Sequence, residues 1–272
     1  MNDPDNWSDN MDDYLTFAHN GTLVFAKGAL DFSGVEAKNG NKILDVACGT
    51  GSMVQAIIEK FGPQCDAQVL ATDFAKGMVD AVEKRAKADG WINVKGQVQN
   101  AMDMTLPDSS FDAVFCVFCV MLIPDPAKAL SEMLRVAVPG GTVTCVTWNA
   151  QGLLPMMQKA ASLTKNLPAP VPFAFKGWAD LDFNKEQLQA AGFREVRGVH
   201  VPGLLPLARK DIPEFVDSLP RNPGMKAGMF SSFTEEEINT FKGHMRNVIL
   251  ESFGDKEHYG FEAVANVVCG TK

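Results

Sequence analysis

Two carboxylates and a small-residue loop are spaced so that they could hold one ligand. Residues 43–51 read Ile-Leu-Asp-Val-Ala-Cys-Gly-Thr-Gly, an apolar run that carries Asp45 and opens into the loop Ala47–Gly51. Asp73 closes a second apolar run (Val69, Leu70, Ala71, Thr72), 22 residues past Gly51. A glycine-bearing turn between a strand and a helix lets a nucleoside approach backbone N–H groups, and an acid about 20 residues on can bind ribose hydroxyls. Asp45 adds a second demand. Inside the first strand a carboxylate is unwelcome beside a pyrophosphate but suits an ammonium group. For each acid there is a purely structural use: Asp45 satisfied by local amides, Asp73 as the N-cap of a helix from Ala75.

Further candidates follow the same line. Ala47, Cys48, Gly49 and Gly51 would present the loop backbone, and Phe74 and Met78 could cover one face of a base. Asn100-Ala101-Met102 ends the third apolar run, where an amide side chain and a free backbone N–H could read an adenine edge. Asp103 competes for that role, but its neighbours Met104-Thr105-Leu106-Pro107 suggest that it faces the turn, so Asn100 is preferred. Val117 lies at the end of the fourth run. No residue declares itself a base. Of His19, His200, His244 and His258, His19 in the N-terminal arm is the best placed. Tyr14, Phe17 and Trp148, with Met156-Met157, Met225 and Met229, are candidates to line an apolar acceptor pocket.

The elements that must position these groups form an alternating series. Strand-like runs at Lys42–Cys48, Val69–Asp73, Val94–Val98, Phe111–Phe118 and Thr142–Trp148 alternate with helical patterns near 51–61, 75–89 and 126–138. The last helix is predicted to stop at Pro139-Gly140-Gly141. A sixth strand, Glu195–Val201, follows a helix opened near Asn184, and a seventh, Phe261–Cys269, ends the series. This predicts an α/β fold: a Rossmann-like, doubly wound, seven-stranded, mostly parallel sheet. Right-handed crossovers would set the first and fourth strands side by side, with ligands at the carboxyl ends of the strands there.

The predicted organisation is one domain over residues 1–272. It comprises a helical arm (1–35, with Tyr14, Phe17, Leu23 and Val24 on one face), a core (36–150), its completion (151–205), an insertion (206–258) and a last strand (259–272). The insertion, with a helix start at Ser232-Phe233-Thr234-Glu235, is expected to be a lid, and the alternative is a homodimer contact.

Composition narrows the partners. The 272 residues are 46% hydrophobic and 21% charged, with a formal charge of −8. No clustered basic face is present to meet a phosphate backbone, since Lys84-Arg85 and Arg209-Lys210 are isolated pairs, so nucleic acid is not the expected partner. No apolar run approaches the roughly 18 residues of a membrane span, and the acidic N-terminus lacks the order of a signal peptide. The expectation is a cytoplasmic protein without membrane contact. Cys116 and Cys119 spell Cys-x-x-Cys, but strand alternation should turn them to opposite faces, and no second pair or nearby histidine completes a metal site.

S-adenosyl-L-methionine carries both a ribose and an ammonium. With the motifs on the page, the chain resembles class I S-adenosylmethionine-dependent methyltransferases. Ile43–Gly51, Val69–Asp73, Asn100-Ala101, Leu106–Asp112 and Leu134–Val136 with Pro139-Gly140-Gly141 match in order and spacing, from about residue 40 to 150. More narrowly it is similar to fungal secondary-metabolite enzymes of the gliotoxin thiomethyltransferase type, through Asp31–Val35, Asp89–Asn93, Asn100-Ala101, Thr147-Trp148 and Ala191–Arg194. The resemblance implies cofactor contacts at Asp45, Gly49, Gly51, Asp73, Asn100 and Ala101, and S-adenosyl-L-homocysteine as product. Ala47 stands where the family's loop has its first glycine. The implied activity is methylation of S, O or N of a small apolar metabolite, where alignment and water exclusion supply most of the acceleration. A thiol acceptor needs little help from a base at neutral pH, whereas an aliphatic hydroxyl needs much. Two other readings remain at this level. One is use of the bound sulfonium without methyl transfer, by a pericyclic or cyclising catalyst or a binding module. The other is a nicotinamide-dependent oxidoreductase, against which Val54 replaces the third fingerprint glycine.

Overall fold

The structure, a computed structural model, describes residues 3–9, 19–36, 40–165 and 177–272. Tyr14 and Phe17 lie outside the described residues. Seven strands form one sheet in the order β3-β2-β1-β4-β5-β7-β6. They are β1 (Lys42–Val46), β2 (Gln68–Asp73), β3 (Val94–Val98), β4 (Phe111–Val117), β5 (Ala137–Gln151), β6 (Arg194–Ala208) and β7 (His258–Thr271). The first five run parallel, and β7 runs antiparallel between β5 and β6. β1 and β4 are neighbours, as the crossover rule predicts.

The helices are α1 (Pro4–Asp9), α2 (His19–Ser33), α3 (Ser52–Phe61), α4 (Lys76–Ala88), α5 (Pro126–Val136), α6 (Leu153–Thr164), α7 (Leu181–Ala190), α8 (Ile212–Ser218), α9 (Pro223–Ala227) and α10 (Glu235–Phe253). Their starts follow local chemistry. Asp125 accepts from the Lys128 N–H at 3.0 Å, with Pro126 in the first turn of α5. Thr234 and Glu237 cap α10 reciprocally, which fixes the start read from the sequence.

Several boundaries differ from the sequence reading. α5 stops at Val136, and Pro139-Gly140-Gly141 lies inside β5, because Gly140 takes φ +80° and stays paired to the chain end through Lys272. β6 continues past Val201 to Ala208 against β7, so residues 206–208 are strand. α7 opens at the cap Asp180, while Asn184 is buried and donates to the Trp178 and Asp180 carbonyls. Leu23 and Val24 do not share a face: Leu23 is buried and Val24 is 40% exposed.

Two apolar cores result. One fills the sheet and the helices on it, from Phe25 and Leu30 to Ile43, Phe115 and Val267. The second joins α6, α8 and α10 to the far ends of β6 and β7, through Met157, Val216, Phe241, Met245 and Phe261. The helices between β6 and β7 are thus built on a core of their own beside the carboxyl ends of the parallel strands.

Candidate active site

A cavity of about 710 Å³ opens over β1 and β4, large for a small-molecule site. Its near end is lined by Ala47, Gly49, Asp73, Phe74, Met78, Asn100, Ala101, Met102 and Val117. These predicted residues come from four strand ends and are brought together by the sheet. The far end is lined by Trp148, Leu153, Leu205, Phe215, Leu219 and Phe261, with Met225 from α9. Trp7 of α1 and Thr22 of α2 close one side.

The loop after β1 has an unusual backbone. Ala47, Gly49 and Gly51 take φ of +56°, +52° and +85°. Only the glycines adopt this region freely, so Ala47 is held there by its surroundings. The Cys48 N–H donates to the Thr72 carbonyl at 2.8 Å. Cys48 and Gly51 do not line the cavity, and Asp45 lies buried beneath its wall rather than on it. A side chain on Gly51 would meet Val82 of α4 at 3.0 Å, so this glycine serves helix packing.

Asp73 Oδ2 accepts from the Gly49 N–H at 3.0 Å and Oδ1 from the Ala75 N–H at 2.9 Å. Burial pushes its carboxyl above the usual range, against the pull of those N–H groups. It does not cap α4 as proposed for its structural alternative, since the cap position is Ala75.

Asp45 is 1% exposed, and its Oδ2 has no hydrogen-bond partner. Desolvation, with the Asp73 charge second, drives its carboxyl well above the usual carboxylate range. An orphaned carboxylate oxygen beside a ligand loop is costly unless a cation meets it. The donor set therefore fits a ligand that brings a cation to Asp45 and hydroxyl groups to Asp73, as S-adenosylmethionine would.

Two predicted roles need correction. His19 does not face the cavity: its ring sits behind the loop, Nδ1 2.8 Å from Thr50 Oγ1 and Nε2 2.8 Å from Gln55 Oε1. Burial and nearby Arg85 lower its pKa. The other concerns the turn after β3. Asn100 Oδ1 already accepts from the Met102 N–H at 3.0 Å, and Asp103 lines the cavity rather than turning away.

Cys116 and Cys119 do not point apart either. The backbone leaves the strand at Phe118, with φ +56°, and the two thiols meet, which raises the Cys119 pKa. All six cysteines are free.

Sequence reasoning missed Trp7, Thr22 and Phe118, and Phe215 and Leu219 between β6 and β7. Phe118 stacks on Trp148 at 3.7 Å, and Phe25 meets both edge-on at 5.6 and 5.2 Å. An aromatic residue just past a strand end was the available signal.

Residues 43–141 match the methyltransferase domain family model. The chain is 31% identical over 218 residues to methyltransferase ucsB of Acremonium sp., covering 76% of this chain and 73% of that one. The chain belongs to the S-adenosylmethionine-dependent methyltransferases. It is 26% identical over 245 residues to the acetylaranotin bis-thiomethyltransferase of Aspergillus terreus, covering 86% and 83% of the two chains. Among solved structures it resembles in fold a phosphoethanolamine N-methyltransferase of Haemonchus contortus in complex with phosphomonomethylethanolamine and S-adenosylhomocysteine. That likeness has a TM-score of 0.54 at 19% identity and covers 91% of this chain and 52% of that one. The enzyme uses S-adenosylmethionine on a class I fold, and the nicotinamide reading is set aside. Its acceptor is a small molecule.

Proposed function

We propose that this methyltransferase acts on S, O or N of a small, apolar, uncharged metabolite in the cytoplasm, without a nucleic-acid or membrane partner. The observation that carries this is the far end of the cavity. Trp148 on Phe118, Phe215 on Phe261, Leu153, Leu205, Leu219 and Met225 supply aromatic and aliphatic surface. Among the described lining residues none is Lys, Arg or His, and the two charges are Asp73 and Asp103. A phosphorylated or carboxylated acceptor would meet no counter-charge there, and the carboxylates would repel it. The fungal relatives support the same class of acceptor.

The residue roles belong to the same proposal. Asp45 accepts from the ammonium, Asp73 from the ribose hydroxyls, and the Ala47–Gly51 backbone meets the amino-acid end. Phe74 and Met78 cover the base, while Asn100 Nδ2, Ala101, Met102 and Asp103 face its edge. When bound, S-adenosylmethionine supplies an electrophilic methyl on a sulfonium. The protein excludes water and aligns the acceptor, with the segment 209–257 acting as a lid through α8 and α9 rather than as a homodimer contact.

The test is incubation with methyl-labelled S-adenosylmethionine and a metabolite extract. Label should enter an uncharged product that partitions into organic solvent. Label confined to phosphorylated or other anionic products would overturn the reading, as would S-adenosylmethionine left unconsumed across acceptor pools.

A further inference from the structure

Thr50, between the two glycines of the loop, is gripped from the side away from the cavity. Arg85 of α4 donates from Nη1 to the Thr50 carbonyl at 2.7 Å and from Nη2 to Gln55 Oε1. His19, the first residue of α2, holds Thr50 Oγ1 and the same Gln55 oxygen. Gln55 in turn donates to Glu59 Oε1 at 2.6 Å, and Glu59 pairs with Lys27 of α2 at 2.5 Å. The Arg85 guanidinium lies 5.2 Å from the Trp91 ring centroid. Thr50 and His19 are 1% and 5% exposed. The network therefore ties α2, α3 and α4 to one loop residue, and neither Arg85 nor His19 lines the cavity.

The loop needs an outside constraint. Gly49 and Gly51 have wide conformational freedom, so their own preferences do not fix the direction of the peptides that flank them. The Gly51 N–H closes the turn on the Cys48 carbonyl at 2.9 Å, and two side chains hold the loop from outside: Asp73 accepts from the Gly49 N–H on the cavity side, and Arg85 donates to the Thr50 carbonyl on the other. A turn of either peptide breaks a charge-assisted, partly buried hydrogen bond. The arm takes part, because Thr22 on the cavity wall donates to the His19 carbonyl.

We propose that Arg85 and His19 are positioning residues for methyl transfer. They hold the loop in the geometry that receives the cofactor's amino-acid end, and they couple docking of α2 to cofactor affinity. The inference rests on the reading that this loop binds the cofactor. Coupling is reciprocal, so cofactor binding also tightens α2.

The test uses the full chain and S-adenosylhomocysteine, with affinity by calorimetry, melting temperature, and amide hydrogen exchange of peptides spanning 44–56 and 19–33. Arg85→Met should raise Kd on the order of tenfold or more, as expected for loss of hydrogen bonds from a charged donor. It should also speed exchange of the loop before any ligand is added. Arg85→Lys should recover part of the affinity. His19→Phe, which keeps bulk but drops the Thr50 contact, should weaken binding about threefold and is the readout if Arg85→Met does not fold. Arg197→Met is the control, since Arg197 of β6 donates to the Phe32 and Ser33 carbonyls at 2.9 and 3.0 Å, at the end of α2 opposite the His19 turn that carries the coupling. It should leave Kd within about twofold, because it touches no loop atom. In the wild type, ligand should slow exchange in 19–33, and Arg85→Met should abolish that effect. Wild-type Kd and loop exchange in both Arg85→Met and His19→Phe would overturn the proposal, as would equal weakening by Arg197→Met. A wild type that fails to bind S-adenosylhomocysteine would sink the cofactor reading instead, and unliganded loop exchange would still decide whether the clamp orders the loop.

Discussion

Gly49 donates its backbone N–H to Oδ2 of Asp73 at 3.0 Å, so the loop after β1 is fastened to the tip of β2. The ribose candidate and the loop are thus one device rather than two independent contacts. Asp73→Asn cannot serve both N–H groups that Asp73 now accepts from, because the amide turns a donor toward one of them. An unsatisfied buried amide costs about 1–3 kcal/mol. Calorimetry should show S-adenosylhomocysteine affinity falling at least about tenfold, with a lower melting temperature; unchanged affinity would remove Asp73 from the site.

Asp45 presents the opposite balance. Its folded-state pKa is raised by burial and by Asp73, so the stability of the unliganded fold is fully present below the unfolded carboxylate value and declines as pH rises through the folded one. Ionising Asp45 in the unliganded protein is therefore costly, and an ammonium beside it would offset that cost. Asp45→Asn should melt higher than wild type at pH 7.5 without ligand, while losing S-adenosylhomocysteine affinity by at least about tenfold. The gain should shrink as pH falls toward 4. A variant that loses both stability and affinity would contradict this account.

Ala47 occupies the left-handed region with φ +56° where a glycine would sit without penalty. Holding a side chain there costs roughly 1–2 kcal/mol, offset in part by the greater freedom glycine brings to the unfolded chain. Ala47→Gly should therefore stabilise by about 0.5–1 kcal/mol, a rise of about 1–4 °C in melting temperature. Thermal unfolding checks it, and a lower melting temperature would show that the Ala47 methyl makes packing contacts worth more than the strain.

The near half of the site was legible because strand ends and loops are encoded locally. An acid closing an apolar run, or a glycine between strand and helix, fixes position without knowledge of distant chain. Ala47, Gly49, Asp73, Phe74 and Met78 were found that way, and all line the cavity. The far half was not, because it is assembled by long-range packing. Phe215 and Leu219 come to the cavity that Trp148 also lines only after α8 and α10 close on β6 and β7. His19 misled for a related reason: its separation from Thr50 is 31 residues, and nothing local says which face of the loop it meets. Cys119 misled because strand alternation was extended two residues beyond the strand, across the positive φ of Phe118.

His19 also sets a pH response. Its pKa is lowered by burial and by Arg85, opposed by Gln55 and Glu59, the latter paired with Lys27. For a base with a depressed folded pKa, the unfolded chain takes up the proton first. Stability is then constant above the unfolded value of about 6.5 and falls as pH drops toward the folded one. Melting temperature should decline between pH 6.5 and 5 in the wild type and less steeply in His19→Phe. Parallel declines would assign the effect to other groups.

Trp148 divides binding of the cofactor from binding of the acceptor. It stacks on Phe118 at 3.7 Å, meets Phe25 at 5.2 Å and faces the far end of the cavity. Trp148→Ala removes a partly buried aromatic and its ring pairing, a loss of about 2–4 kcal/mol in stability. S-adenosylhomocysteine affinity should stay within about twofold, since the cofactor residues lie on other strand ends. Methyl incorporation into the acceptor should fall at least tenfold, as a flat wall of the acceptor end is gone. Trp148→Phe keeps a ring on Phe118 and should restore most of both stability and turnover. Cofactor affinity lost in step with turnover in Trp148→Ala would place this residue at the nucleoside instead.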